Sequence, residues 1–327
     1  MRKVVLFVAV AGWCFLNPAR PPVLSQPAAQ GSQLSFGDIV GTVGLIPGPE
    51  NSKAMKVSFA RIIAPWSEIS RSKGSYNWDA TDKPLRQAHN QGIGVVLDLT
   101  YTAVWASTNP NLPESRWQFY PPKNVSDWTD FVQAAVTRYM ADPYDVKYFQ
   151  VWNEPVRGSG FWVGTNEQWV DDIYIPAAKV IKQHGANVVF GGWPSGSGIP
   201  AYNTELELHN AWQYTDILDI HYYPVVQNFQ ILYDRWIATG KCKGIWETEM
   251  GAQDNPQMLT TVFTNTYNWA RTRGHWSSPD QYKLFWFTGF GASDNAALTR
   301  QTPGKTPGQV VLTANGRALA ALAQKLP

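Results

Sequence analysis

The sequence predicts an α/β protein, a single-domain (β/α)8 TIM barrel occupying residues 30–327. Three observations carry that expectation. Short apolar runs alternate with helical patterns about eight times along the 327 residues, with no Pro- or Gly-rich linker between two halves. The runs are apolar throughout, as strands of a parallel sheet covered on both faces must be. The turn after the first run reads IPGPEN, which lacks the glycine-rich phosphate cradle that an open doubly wound sheet commonly carries there. Eight units in this length match a barrel of about 250 residues plus insertions.

Taken in order, 39–46 (DIVGTVGL) is the first expected strand and 57–66 (VSFARIIAPW) the second. A helix over 79–91 leads to the strand 93–100 (IGVVLDLT). A loop rich in Asn, Pro and Trp precedes a helix over 125–140, where apolar residues recur at helical spacing and Ser126 is the candidate N-cap. Strand 146–152, helix 168–183 and strand 186–192 follow. The second half continues with a weak helix over 203–213, strand 215–223, helix 229–238, strand 243–251, helix 258–273, strand 282–290 and a closing helix over 309–325.

Composition narrows the class. Apolar residues make up 44% and charged residues 16%, which excludes a disordered chain. Sixteen Trp, 14 Tyr and 14 Phe could fill a core, and some could offer flat faces to a sugar. Arg2 and Lys3 precede an uncharged run over 4–16, too short to span a membrane but suited to a signal peptide. Small residues at Ala19, Ala28 and Ala29 offer cleavage sites, so 1–29 reads as a removed leader and the protein as secreted or periplasmic. That leader holds Arg2, Lys3 and Arg20 and no acidic residue, so the remainder is near neutral. No basic run suggests nucleic acid, and no membrane contact is expected after leader removal. Cys14 leaves with the leader, and Cys242 reads as a free thiol. No HExxH-type motif appears, and His89, His184, His209 and His275 read as surface or satisfied residues; neither metal nor cofactor is expected. A monomer is expected.

In a barrel, chemistry sits at the C-terminal strand ends. There the apolar run YFQVW (148–152) ends abruptly in Asn153 and Glu154, and the seventh strand ends in Glu247-Thr248-Glu249. Glu154 and Glu249 lie 95 residues apart, which equals three βα units of about thirty residues. Two carboxylates facing one another across the mouth suit glycoside hydrolysis, one protonating the leaving oxygen and the other attacking the sugar or activating water. Glu247 competes with Glu249, because residues two apart on a strand share a face. Glu247 would lie one layer deeper, where a buried, paired carboxylate is the expected role.

WNEP at 152–155 and TEMG at 248–251, with RIIAPW (61–66), VWAS (104–107), HYYP (221–224) and FWF (285–287) in order, resemble clan A of the retaining glycoside hydrolases. Within the clan the chain is most similar to family 39, with family 5 second, and the C-terminal β-sandwich typical of family 39 is not expected after the eighth helix. The resemblance spans about residues 36–326. It implies a (β/α)8 barrel with Glu154 as acid/base and Glu249 as nucleophile. It also implies Asn153 on the sugar 2-hydroxyl, Arg61 and Tyr223 hydrogen-bonded to the nucleophile, and His221 on the same wall. Trp66, Trp105 and Trp286 would stack on sugar faces. The implied activity is a β-glycosidase acting by double displacement on a β-linked polysaccharide or oligosaccharide. The leader makes it a secreted one, and the Trp-bearing loops at 105–120, 157–165 and 191–200 read as extending a groove over several sugars, so endo action on a neutral polysaccharide is expected. The alternatives are an exo-acting enzyme, a transglycosylase, and a carbohydrate-binding barrel without catalysis. A barrel acting on phosphorylated substrates would need a phosphate site in the loop 291–308.

Overall fold

In a computed structural model, residues 34–194, 198–221, 223–251, 254–291, 296–302 and 309–327 are described. The leader expected at 1–29 lies outside them. The apolar runs form eight parallel strands: β1 (Val40–Val43), β2 (Phe59–Pro65), β3 (Gly94–Thr100), β4 (Tyr148–Val151), β5 (Asn187–Val189), β6 (Ile217–His221), β7 (Gly244–Met250) and β8 (Tyr282–Trp286). Each pairs with the next, β1 also pairs with β8, and β5 meets β6 through Val189 and Ile217, so the sheet closes into a barrel. Each strand presents alternate residues inward. Phe59, Val96, Tyr148, Val189, Ile217, Trp246 and Phe285 fill the lower lumen as one buried cluster. Gly41 on β1 leaves room for the Phe285 ring, which a Cβ there would meet at 2.7 Å. Lys283 closes the floor, its ammonium 4.0 Å from the Phe59 ring centre and donating to the carbonyls of Asp38 and Pro279.

Two residues further along the same strands the lumen turns polar. Arg61, Asp98, Gln150, Asp219 and Thr248 follow Phe59, Val96, Tyr148, Ile217 and Trp246, and all five are buried. Apolar below and polar above is the layering that puts chemistry at the C-terminal face.

Outside the barrel, helix Val125–Met140 buries Trp128, Phe131, Val132, Ala135, Val136 and Tyr139 along one face, at the 3.6-residue period. Its N-cap position is Asn124, not Ser126, which lies within the first turn. The expected helix over 168–183 is an unbroken helical run from Asn166 to Gln183 with a π-helical stretch at Trp169–Tyr174. The helix expected at 229–238 begins earlier, at Val225, and passes into a π-helical Tyr233–Ile237. The closing helix is shorter than expected: Ala314–Lys325 is helical, whereas Val310–Leu312 pairs with Thr299–Gln301 in a small sheet beside Phe290–Gly291. The β-branched run at 310–312 prefers that pairing to a helical start. Among the described residues no helix is long and apolar enough to cross a membrane.

Trp66 corrects one expectation. It is wholly buried, stacked on Phe131 with centroids 5.7 Å apart and met edge-on by Trp105. It belongs to the core between β2 and helix Val125–Met140, where no sugar can reach its face. Trp66→Ala should therefore destabilise the fold by about 3–5 kcal/mol, the usual result for a buried Trp. Denaturant unfolding reads that loss, and KM of the remaining folded enzyme should not change; a raised KM at intact stability would restore Trp66 to the binding surface.

Candidate active site

Arg61 organises the polar layer. Its Nε donates to Gln150 Oε1 at 2.8 Å, Nη2 to Asp98 Oδ2 at 2.8 Å and to Asn153 Oδ1 at 2.7 Å, and Nη1 to Glu249 Oε2 at 3.0 Å. Thus one side chain from β2 ties together β3, β4 and β7. A guanidinium suits this because its planar fork fixes several acceptors at once. Asn153 is anchored through its oxygen, and its side chain also bonds Tyr101.

Glu249 reaches Arg61 because β7 is irregular. Ile245 packs in the outer core and Trp246 in the lumen, so Glu247 faces outward and Thr248 inward. Glu247 pairs with Leu284 but Met250 with Trp286, so one extra residue is accommodated on β7 between them. That β-bulge turns Glu249 back into the mouth, as bulges beside active sites re-aim side chains. Glu247 and Glu249 therefore do not share a face, contrary to the simple alternation. Glu247 is fully buried on the outer side.

The end of β4 is strained. Trp152 and Glu154 hold φ of 72° and 45°, and Tyr101, past the end of β3, holds 63°. Non-glycine residues held there cost about 1–3 kcal/mol each, and such costs cluster at functional sites. The turn brings Glu154 to His221, whose Nδ1 lies 2.9 Å from Glu154 Oε1. His221 Nε2 lies 3.2 Å from Thr248 Oγ1, and Thr248 gives both its hydroxyl (2.7 Å) and its N–H (3.0 Å) to Asp219.

A cleft of about 770 Å³ opens over the polar layer, and its lining includes Arg61, Asp98, Tyr101, Asn153, Glu249 and Phe287. Of the sequence-expected residues it gathers Arg61, Asn153 and Glu249, while Glu154, next along the chain from Asn153, pairs with His221. Trp286 does not offer a face: it is wholly buried and donates its indole N–H to Ala296 O at 2.6 Å. Trp105 is half-buried against Trp66, with its N–H on Ser70 Oγ at 3.2 Å, and lies outside the cleft lining. Tyr223 does not bond the nucleophile position. It is held by the Gly251 backbone and faces Glu247, and partial burial with that carboxylate pushes its phenol up to about 12. The aromatic faces at the cleft are instead Tyr101, Phe161 and Phe287, the last 43% exposed. Phe287 is the last residue of the FWF run at 285–287, directly after the buried Trp286.

Away from the cleft, His209 Nδ1 sits 2.9 Å from Asp171 Oδ1, and Glu167 completes a group with ligand atoms within 4.8 Å of one another. His209 is therefore a partnered residue, paired through Nδ1 with Asp171. The loop 291–308, which a barrel acting on phosphorylated substrates would need as its phosphate site, lies largely outside the described residues.

Gly192, bridged to Asn153, lies under the His221 ring: a Cβ there would come within 2.2 Å of Nε2. Gly192→Ala should push His221 off Glu154 and lower kcat by about tenfold or more, with little loss of thermal stability. Unchanged kcat would show that the ring can move without consequence.

Asp98 and Asp219 are each pushed up to about 6, chiefly by burial, with Arg61 and His221 acting against it. The folded chain then holds protons that the unfolded chain, with Asp near 3.9, has released. Their stabilising contribution is complete below about pH 4 and is lost as pH rises through about 6. Burial also works to raise Asp82, Asp127 and Asp216, but hydrogen bonds from Arg138, Lys73 and Lys182 outweigh it and lower all three. Their contribution is lost only as pH falls below about 4, a separate window. Asp98→Asn should flatten the fall in denaturant midpoint between about pH 4 and 6.5; an undiminished fall would remove Asp98 as a cause.

A closed eight-stranded barrel with glutamates at the ends of its fourth and seventh strands is the architecture of the clan A glycoside hydrolases. More specifically, residues 64–236, more than half of the chain, match the Glycosyl hydrolases family 39 model, and the chain belongs to that family. It is 28% identical over 130 residues to a β-xylosidase of Caldicellulosiruptor saccharolyticus, covering 38% of this chain and 26% of that protein. The aligned stretch thus spans about a quarter of that curated relative. In fold it is similar to a family 39 glycoside hydrolase from Bacteroides cellulosilyticus WH2, with TM-score 0.62 and 15% identity over 89% of this chain and 65% of the other. A family 30 endoxylanase from Clostridium papyrosolvens C71 gives the same TM-score and identity over 87% and 70%.

Proposed function

We propose that the protein is a secreted or periplasmic, monomeric retaining β-glycosidase that cleaves a neutral β-linked polysaccharide internally. The observation that carries the reading is the grip of Arg61 on one oxygen of Glu249, together with the contact of His221 on one oxygen of Glu154 at the end of β4. Among the described residues neither carboxyl's second oxygen has a hydrogen-bond partner, which leaves it for chemistry. Glu249 attacks the anomeric carbon as Glu154 gives its proton to the leaving oxygen, and the C–O electron pair goes with that oxygen. Glu154 then takes a proton from water, which attacks the glycosyl-enzyme bond and frees Glu249. Asn153, anchored by Arg61, is placed to hold the sugar 2-hydroxyl, and Phe287 with Tyr101 supplies the apolar faces.

Internal cleavage is supported by the extent of the cleft. Pro65, Glu68, Ala80 and Thr81 are shared with an adjoining depression of about 230 Å³ that runs on past Ile69 and Asn77, room for more than one sugar. The leader pattern at 1–29 supports export. The β-xylosidase relative favours a second reading, release of terminal xylose from short chains.

Reducing-end release from β-linked glucans, xylans, mannans and galactans, with xylo-oligosaccharides alongside, separates the two. The endo reading expects mixed oligomers from one polymer; the exo reading expects xylose alone from the short chains. Glu154→Ala and Glu249→Ala should each cost about 10³-fold or more of kcat, which is about 4 kcal/mol of activation barrier. Turnover that survived in both variants would sink the assignment.

A further inference from the structure

For a neutral His221, the donors and acceptors of the chain Asp219–Thr248–His221–Glu154 fix its polarity. Asp219 presents its two oxygens to the two donors of one residue: Oδ1 takes the Thr248 N–H at 3.0 Å and Oδ2 takes the Thr248 hydroxyl at 2.7 Å. A hydroxyl has one proton, and here it is committed to Asp219. Thr248 Oγ1 can then only accept from His221 Nε2 at 3.2 Å, so Nε2 carries a hydrogen. In the neutral imidazole the lone pair therefore falls on Nδ1, which lies 2.9 Å from Glu154 Oε1. A lone pair at that distance makes a hydrogen bond only if Glu154 carries the proton. Asp219, Thr248 and His221 are all buried, so water offers the chain no alternative partners.

We propose that Asp219 is a positioning residue that acts through Thr248 to hold His221 in its Nε2–H tautomer, so that His221 retains the proton on Glu154 until a glycosidic oxygen takes it. The inference rests on the reading of Glu154 as acid/base. It gives a role to two buried residues that touch neither the sugar nor the reacting atoms. The same device serves the second half of the cycle. Once the proton has left, the Nδ1 lone pair faces a carboxylate oxygen without a hydrogen between them, which drives Glu154 to recover a proton from the incoming water.

The charged and titratable groups around the chain come from every neighbouring strand. Arg61 on β2 acts on Asp219, Asp98 on β3 interacts with Asp219 and His221 and in turn with Glu249 on β7, and the Tyr202 hydroxyl meets the Asp219 backbone N–H at 3.1 Å. None of them forms a hydrogen bond with Thr248 Oγ1, so the orientation of that hydroxyl is decided by Asp219 and His221. Because burial pushes Asp219 up to about 6, the test belongs above pH 7, where Asp219 is a carboxylate.

Asp219→Asn inverts the chain without changing its shape. The amide oxygen still takes the Thr248 N–H, but the amide nitrogen now donates to Thr248 Oγ1. The hydroxyl proton turns to His221 Nε2, and Nδ1–H then faces Glu154. In ¹⁵N-histidine-labelled full-length protein at pH 7.5, long-range ¹H–¹⁵N correlations should give Nε2–H for His221 in the wild type and Nδ1–H in Asp219→Asn. Kinetics supply the second readout, with aryl β-glycosides of the sugar the polysaccharide panel identifies. Asp219→Asn should lose about tenfold or more kcat/KM on a phenyl leaving group, which needs the proton, relative to its loss on a dinitrophenyl one, which does not. Thr248→Val should show the same split and Thr248→Ser should abolish it, which keeps the test open if Asp219→Asn does not fold. An Nδ1–H wild type, or equal losses on both leaving groups, would overturn the proposal. Glu154→Gln tests the underlying reading separately: if it shows no split, Glu154 is not the acid, and the tautomer measurement alone decides the role of Asp219.

Discussion

A guanidinium buried in the mouth of the barrel constrains everything around it. Arg61 is only 7% exposed, and an unpaired charge there would cost far more than one domain's stability can bear. It is tolerated because Asp98, Gln150, Asn153 and Glu249, from three other strands, each accept one of its hydrogen bonds. The polar layer of the lumen exists to surround that charge, and the strand order of the barrel is what brings its members within reach. The pairing also sets function and stability against each other. Buried carboxylates such as Asp98 and Asp219 are held where their charged forms are least comfortable, and Arg61, His221 and the donors of Thr248 act against that cost.

The two halves of the site are made by departures from regular structure. On β7 the extra residue between Glu247 and Met250 turns Glu249 from the outer face to the inner one. At the end of β4, positive φ at Trp152 and Glu154 bends the chain so that consecutive residues serve different partners: Trp152 enters the core, Asn153 meets Arg61, and Glu154 meets His221. A strand of ideal geometry would have sent at least one of the glutamates into the helix layer. The glycine at 192, whose missing side chain gives His221 its place, is a third such adjustment.

The abundant tryptophans mostly hold the helices to the barrel. Trp66, Trp128 and Trp152 pack with Phe131 and Trp162 in one aromatic cluster on the outer side of β2–β4. Large rigid rings bury much area for little entropy, which makes them good fillers between a curved sheet and its helices. The apolar faces left to the cleft come from smaller rings, Phe287 and Tyr101 among them.

By itself the sequence determined the barrel and the residues that meet at its mouth. Continuous apolar strands require covering on both faces, and polar residues that end such strands, as Asn153, Glu154, His221 and Glu249 do, have nowhere to go but the open end. Both are properties of periodicity and burial, which are local and readable. The sequence could not say which aromatic rings line the cleft, because Trp66, Trp286 and Phe287 are chemically alike and differ only in what the rest of the chain lays over them. Nor could it say why Glu249 rather than Glu247 faces the cleft. Simple alternation puts both on one face, and the bulge that separates them is fixed by the register of β7 against β8. The chain from Asp219 to Glu154 joins three strands through distances of about 3 Å, and only the closed barrel brings them together.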